Sequence, residues 1–317
     1  MISFIIIGKN EGWRLEKCLS AVRRRAEAEL VQPWEVIYVD SQSSDGSVEL
    51  ARQYADKAFL LTGECNPAIG RNVGAKESEG DILFFIDGDM ELRESVLSTI
   101  VKESGDLCYP FMEGIEFDIL FDSDWQQKDA HARQAFCEGA EWYDNKPSTG
   151  MFVIDKKVWE EVGGMDNRFK RSEDYDFGFR AGKMGYKTRR IGQLWVNHYT
   201  RYYALRNDPL SVYKYSAMLT RKYGTKGFAF KTLFKWNYSA YSLLFCLLFF
   251  IATLNIWIMV PYILLLGYRT MRVFKRTSVR LNWATIAYQR FAKDVLLFYY
   301  CFTYFPDQPV VSYNRIK

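Results

Sequence analysis

The sequence predicts an α/β fold, a mostly parallel β-sheet with covering helices, followed by an apolar α-helical region. Three observations carry that expectation. Through the first half of the chain, apolar runs of strand length alternate with charged, helix-prone stretches, the trace that strand–helix units of a parallel sheet leave in a sequence. Two of those runs end in aspartate, at Asp40 and Asp87, and open α/β sheets bind ligands beyond the carboxyl ends of their strands. Toward the C-terminus, Tyr238 to Gly267 is almost wholly apolar, interrupted by Asn255 and Pro261.

Ile2 to Ile7 reads as the first strand and Glu11 to Leu30 as the first helix, with Trp13, Cys18, Leu19 and Val22 as its candidate core contacts. Glu35 to Val39 reads as the second strand, Gly46 to Tyr54 as the second helix and Ala58 to Leu61 as the third strand. Asn72 to Ser78 reads as a helix and Asp81 to Ile86 as the fourth strand. Beyond it, Phe117 to Phe121 has strand character, and Trp125 to Trp142 reads as helical with mixed faces. Asp155 to Val162 is predicted to be a helix ending at Gly163-Gly164, and Ser172 to Met184 one stopped by Gly185, since glycine just past the last turn is a common helix stop.

At 317 residues, 49% of them apolar, the chain can form one large domain or two smaller ones. The net charge of +4 is modest, and neither zinc-finger spacing nor an RNA-binding aromatic signature is present, so nucleic acid is not an expected partner. Six cysteines lie far apart without a C-x-x-C pair, which argues against a disulfide framework or a zinc site. Met1-Ile2-Ser3 runs straight into the first strand and lacks the charged region and cleavage site of a secretory signal.

Aromatic residues make up 17% of the chain and crowd toward its C-terminus, as they do at membrane interfaces. Ser211 to Tyr223 is basic, tyrosine-rich and amphipathic, suited to lie along a bilayer surface. One crossing takes about 20 apolar residues and two take about 40. Tyr238 to Gly267 is therefore too long for a core helix and too short for two full crossings. Lys226, Lys231 and Lys235 precede it, and Arg269, Arg272, Lys275, Arg276 and Arg280 follow. Basic flanks favour the cytoplasmic side, so both ends are expected there. A hairpin or re-entrant pair bent near Asn255 to Pro261 satisfies that rule. One long tilted span does so only if Val295 to Phe305 returns the chain. The expected division is a domain over 1–207, an amphipathic interfacial linker over 208–236, and a membrane-associated hairpin with a C-terminal segment over 237–317.

The sharpest chemical signal is Asp87-Gly88-Asp89, directly after Ile82 to Ile86. Two close carboxylates repel unless a cation neutralises them, and hard divalent ions take oxygen ligands and bridge to phosphates. Alone, the same three residues suit an ordinary solvated turn. Their neighbours decide the reading. Ser3 to Glu11 (SFIIIGKNE), Val39 to Gly46 (VDSQSSDG), Gly70-Arg71-Asn72-Val73-Gly74, Asp87-Gly88-Asp89, Thr149-Gly150-Met151, Val162-Gly163-Gly164-Met165-Asp166 and Glu173-Asp174-Tyr175-Asp176 follow one another. In that order they resemble the motifs of family 2 glycosyltransferases, over about residues 1 to 200. The resemblance implies a GT-A, Rossmann-like fold with a membrane-attachment region behind it. It also implies inverting sugar transfer from a nucleotide-diphosphate sugar, assisted by Mn²⁺ or Mg²⁺.

By the same resemblance, Asn10 and Glu11 line the donor pocket, Asp40 meets the nucleobase and Arg71 meets base or phosphate oxygens. Asp87 faces the ribose or the metal, Asp89 ligates the metal, and His198 is a further metal or phosphate contact. Gly150 allows close backbone approach to sugar or acceptor. Asp174 is the expected base, with Glu173 as its positioning neighbour. Several of these residues have plain structural alternatives: an Asx-turn for Asp40, a dipole-stabilising helix start for Glu11, Glu173 and Asp174, and a satisfied structural histidine for His198. Arg201 and Arg206 are suggested phosphate contacts, because Arg binds phosphate bidentately; snorkelling arginines near a bilayer would look the same. The apolar segment implies a membrane partner, a lipid-linked or membrane-proximal acceptor in glycan or polysaccharide synthesis, and a catalytic domain on the cytoplasmic face of the inner membrane. A catalytically inactive module that binds a membrane partner and a nucleotidyltransferase are the alternatives from other classes. Gly8-Lys9-Asn10-Glu11-Gly12 is poor in glycine for a nucleotidyltransferase loop, and no Q-x-x-R-W segment of a processive synthase is present.

Overall fold

A computed structural model describes residues 1–30, 32–132, 141–144, 150–201, 212–274 and 282–317. They fall into two compact units: Met1–Arg206 together with Asp307–Lys317, and Asn207–Pro306.

The first unit begins with β1 (Ile2–Gly8), α1 (Trp13–Glu29), β2 (Trp34–Asp40), α2 (Ser47–Tyr54), β3 (Lys57–Leu61), α3 (Pro67–Glu77) and β4 (Ile82–Asp87). β3, β2, β1 and β4 lie side by side, all parallel. Their apolar runs are continuous because both faces are covered. Phe4, Ile6, Val36, Phe84 and Ile86 pack with Leu15, Cys18, Leu19 and Val22 of α1, whereas Ile5, Ile7, Ile37, Val39, Leu83 and Phe85 pack with Ala68, Ile69 and Val73 of α3. This is the period-two alternation of a strand. Trp13, expected in this core, is instead 41% exposed.

β5 (Met90–Leu92), the short α4 (Leu97–Ile100), β6 (Phe111–Phe121), β7 (Gln127–Ala132), β8 (Glu141–Asp144), β9 (Phe152–Asp155), α5 (Lys156–Val162), α6 (Glu173–Lys183) and β10 (Thr188–Arg201) follow. With the chain's last strand, β11 (Tyr313–Arg315), the sheet order is β11-β3-β2-β1-β4-β9-β6-β10-β5, with β7 beside β6 and β8 beside β10. β6 and β10 are parallel, but β9 runs antiparallel to both β4 and β6, so the sheet is mixed rather than parallel throughout. Trp125 to Trp142 is not the expected helix. Residues 127–132 and 141–144 are edge strands, and 133–140 lie outside the described residues. β7 is exposed at nearly every position; a strand with no buried face lacks the apolar alternation that would mark it in a sequence. Helix α3 also starts earlier than expected, at Pro67, because Asn66 caps it by accepting from the Ile69 amide at 2.9 Å.

The second unit holds α7 (Val212–Tyr223), α8 (Gly227–Thr253), α9 (Val260–Phe274) and α10 (Trp283–Thr303). Leu254 and Asn255 break the apolar run, and a single 3₁₀ turn at Ile256–Met259 leads into α9. Two segments, Leu233–Thr253 and Ile256–Val273, are long and apolar enough to cross a membrane, and only 28% and 11% of them are buried. Asp294 of α10 is fully buried and accepts from Ser239 of α8 at 2.8 Å and from Tyr262 and Arg269 of α9 at 3.1 and 2.7 Å. One carboxylate thus joins three helices.

The chain's last strand, β11 (Tyr313–Arg315), pairs antiparallel with the sheet-edge strand β3. Residues 307–317 therefore belong to the first unit, where the sequence reading had grouped them with the membrane region. Three residues flanked by polar loop leave too short an alternation to read.

Candidate active site

Helix α3 lies tight against β1. A Cβ at Gly74 would stand 2.3 Å from the Ile5 side chain, so glycine here lets the helix sink toward the sheet. That approach buries Arg71, which is 1% exposed. One arm of its guanidinium donates to Asp87 at the end of β4 (2.6 Å), and the other donates to Glu173 at the start of α6 (2.7 Å). The Asp87-facing arm also reaches the Gly150 carbonyl at 3.2 Å. A Cβ on Gly150 would stand 2.0 Å from an Asp87 oxygen. The close approach that requires glycine at 150 is thus to Asp87. Arg71 joins the Asp-Gly-Asp turn to the Glu173-Asp174 pair across the sheet's carboxyl edge.

Asp89 faces a second set of groups. β5 runs antiparallel to β10 with His198 opposite Met90, and the Tyr199 amide donates to the Asp89 carbonyl at 2.9 Å. This register brings His198 Nε2 to 3.4 Å from an Asp89 oxygen. Arg14 of α1 also approaches Asp89 at 3.4 Å and pairs with Glu11 at 2.6 Å. On the far side of the imidazole, Nδ1 lies 2.7 Å from Asp118 and 3.8 Å from Glu116, both on β6.

These groups are partly or wholly removed from water, and their proton affinities follow. Burial raises the Asp87 carboxyl most; the neighbouring Asp89 and Glu173 charges add to that against the pull of Arg71, leaving it at about 6. Glu11 is pushed up to about 7 by burial and by Asp89, against Arg14. Burial also opposes the charged form of Asp89, but His198 and Arg14 outweigh it and hold that carboxyl below the ordinary range. For His198, burial disfavours the imidazolium, yet Asp89, Asp118 and Glu116 overcome it and carry the ring to about 10. Asp174 is raised well above the carboxylate range by burial and by the adjacent Glu173.

The donor set fits a hard divalent cation. Asp89 offers a carboxylate oxygen beside the imidazole nitrogen that faces it, with Asp87 one glycine away, and such residue types suit Mn²⁺ or Mg²⁺ better than soft metals. Asp87 and Glu11 are also held at a raised proton affinity that an added positive charge would relieve. Among the described residues, Glu116, Asp118 and His198 form a further group whose ligand atoms lie within 4.8 Å of one another.

The model of glycosyl transferase family 2 matches residues 3–173, more than half of the chain. The chain belongs to glycosyl transferase family 2. Glycosyltransferase AglE of Haloferax volcanii is 29% identical over 201 residues, covering 58% of this chain and 62% of that protein. The 4,4'-diaponeurosporenoate glycosyltransferase of Staphylococcus haemolyticus is 33% identical over 108 residues, covering 32% of this chain and 28% of that protein. The chain thus spans less than two thirds of the length of either relative. Among solved structures, GalNAc-T7 with UDP, GalNAc and Mn²⁺ superposes with a TM-score of 0.54 at 14% identity, covering 71% of this chain and 51% of that one, which identifies the GT-A fold.

In this family 2 glycosyltransferase the other expected site residues are spread more widely. Asn10 and Asp40 tie two loops together. The Asn10 side chain accepts from the Ser44 amide at 2.7 Å, and Ser43 Oγ accepts from the Asn10 amide at 2.9 Å. Asp40 is fully buried, and its oxygens accept from the Ser43 amide (2.7 Å) and the Tyr38 hydroxyl (2.9 Å). That is the turn-holding arrangement, and it leaves Asp40 no exposed surface for a base. Arg71 is likewise committed to Asp87, Glu173 and Gly150. Arg201 is exposed and stacks on Trp125, 4.3 Å from the ring centroid; Arg206 lies outside the described residues. Arg14, Glu116 and Asp118 escaped the sequence reading. The last two had a signal in Ile115-Glu116-Phe117-Asp118-Ile119, where strict alternation puts both acids on one strand face.

Proposed function

We propose that this chain is an inverting, divalent-cation-dependent glycosyltransferase that moves a sugar from a nucleotide-diphosphate sugar to a lipid-linked acceptor at the cytoplasmic face of a membrane. The observation that carries the reading is Arg71. One buried guanidinium holds Asp87 of the donor-side motif and Glu173 of the base motif, so the two ends of a transfer reaction are fixed relative to each other.

Asp89, Asp87 and His198 Nε2 would hold the cation, which when bound supplies positive charge to the departing diphosphate. The remaining steps fall to side chains. Asp174, whose raised proton affinity suits a base, takes the acceptor hydroxyl proton. The freed oxygen bonds to the anomeric carbon, and the bond to the diphosphate breaks on the opposite side. The nucleoside diphosphate leaves with the electron pair. Glu173, anchored by Arg71, fixes the start of α6 and with it the approach of Asp174. Glu11 and Asn10, just past the carboxyl end of β1, would line the donor pocket.

Chain connectivity supports a membrane hairpin. β11 joins the same sheet as β1 to β4, so the helical unit must leave and re-enter on one side, and its crossings must be even in number. The two long apolar segments satisfy that condition. α10, which carries Arg290, Lys293 and the buried Asp294, is assigned to the interface. Lys226 before the first segment, Lys235 at its start, and Arg269 and Arg272 at the end of the second favour the cytoplasmic side for both ends.

The deciding experiment is a donor screen of the full chain in detergent with Mn²⁺ or Mg²⁺, reading nucleoside diphosphate release with and without polyprenyl phosphate. Release from one donor, abolished by Asp89→Ala, is the expected result. No release from any donor would favour a binding module, and pyrophosphate release from a nucleoside triphosphate would favour a nucleotidyltransferase.

A further inference from the structure

His198 presents two nitrogens to two different surroundings, and the sheet register creates both. β10 is hydrogen-bonded to β5 on one side and to β6 on the other. In the antiparallel β5 pairing His198 sits opposite Met90, next to Asp89. In the parallel β6 pairing its Cα partner is Asp118. Side chains at paired positions of neighbouring strands share a face of the sheet and touch. The ring thus meets Asp118, its partner in register, at 2.7 Å from Nδ1, while Asp89, in the turn just before β5, lies 3.4 Å from Nε2. His198 and Asp118 are 6% and 7% exposed, so solvent does not compete strongly for this contact.

We infer that Asp118 is a positioning residue. It accepts the Nδ1 proton of His198, fixes the ring plane and tautomer, and so would turn Nε2 toward the divalent cation that Asp89 holds. This rests on the cation site proposed above and extends it to a residue outside the donor motifs. Distances separate the two acids of β6. A contact of 2.7 Å is a charge-assisted hydrogen bond, whereas Glu116 at 3.8 Å is beyond hydrogen-bond reach of Nδ1. A carboxylate behind a ligating histidine raises its basicity and orients it, and losing such a partner typically costs about 10–100-fold in metal affinity.

The test is Mn²⁺ binding to the full chain in detergent, followed by electron paramagnetic resonance, with ¹⁴N modulation reporting imidazole ligation. Wild type should show ¹⁴N modulation that His198→Ala removes. Asp118→Asn should weaken Mn²⁺ about 10–100-fold and diminish the modulation, and Asp118→Glu should recover most of the affinity. Asp89→Ala should abolish binding, which tests the cation site independently. If Asp118→Asn binds like wild type with unchanged modulation while Asp89→Ala binds nothing, the positioning role fails and the cation site stands. Loss as complete as in Asp89→Ala would make Asp118 a ligand and also overturn the inference. Should the Asp118 variants not fold, wild type decides alone. The chain has only two histidines, and ¹⁵N spectra with Zn²⁺ in place of Mn²⁺ must show the His198 proton on Nδ1. A proton on Nε2 overturns the proposal.

Discussion

The two units handle buried charge in opposite ways. In the helical unit Asp294 is fully buried and saturated by a serine, a tyrosine and an arginine from two other helices. At the carboxyl edge of the sheet, among the described residues, the carboxylates Glu11, Asp87, Asp89, Glu116, Asp118, Glu173 and Asp174 outnumber the cations Arg14, Arg71 and His198. There, Glu11 and Asp87 are held near 7 and 6. The first arrangement is complete as it stands and works as a latch between helices. In the second, burial and neighbouring carboxylates raise the proton affinity of Glu11, Asp87 and Asp174, and an added cation would lower it. The difference teaches that a carboxylate closed off among helices marks architecture in this chain, and carboxylates of raised proton affinity mark the candidate site.

That contrast can be broken by substitution. The largest effect is expected for Asp174→Asn, which removes the base while keeping shape. Transfer should fall by about 10²–10⁴-fold, the range for general base catalysis, while donor binding measured by calorimetry stays within a few-fold of wild type. Wild-type turnover in the variant would mean that the raised proton affinity of Asp174 serves no reaction.

Asp294→Ala should show the reverse pattern. It leaves Arg269 buried without its partner, a loss that typically costs about 3–5 kcal/mol, read as a lowered midpoint of thermal or denaturant unfolding of the helical unit. Donor binding by the first unit should persist. If donor binding vanishes while the helical unit stays folded, the division into latch and site is wrong.

A third outcome concerns pH. Asp174 acts only when deprotonated, and its carboxyl is raised well above the ordinary value. The transfer rate should therefore climb about tenfold per pH unit on the acid side of that raised value and level off above it. The stability effect has the opposite sign. Between the unfolded carboxyl value of about 3.9 and the raised folded value, the native state holds a proton that the unfolded state has lost, so stability declines as pH rises through that window. Asp174→Asn should remove that decline. Unfolding midpoints of the two proteins across pH check it, and parallel curves would refute it.

The same contrast explains how much could be read from sequence. β1 to β4 were visible because both faces are buried and their apolar runs are unbroken. The Asp-Gly-Asp turn stood out because it interrupts such a run. β7 and β11 were hidden, being short or polar edge strands. Arg71 was visible as a motif, but its commitment to Asp87 and Glu173 depends on how deeply α3 sinks. Asp118 meets His198 only through a register between strands 80 residues apart, information that no local pattern contains.

The smallest effect tests whether the site is held by its helix starts or by the sheet. Asn66 caps α3 through the Ile69 amide at 2.9 Å and also donates to the Asn167 carbonyl at 2.8 Å. Asn66→Ala removes both bonds and should cost about 0.5–2 kcal/mol. Asn66→Asp keeps the cap and loses only the second bond, so it should cost less. Both should leave turnover nearly unchanged, because Arg71 sits more than a turn into α3 and is also pinned by Asp87 and Glu173. If Asn66→Ala instead lowers turnover tenfold or more while unfolding shifts only slightly, the helix start would share in setting Arg71. The carboxylate-rich edge would then depend on local capping as much as on strand order.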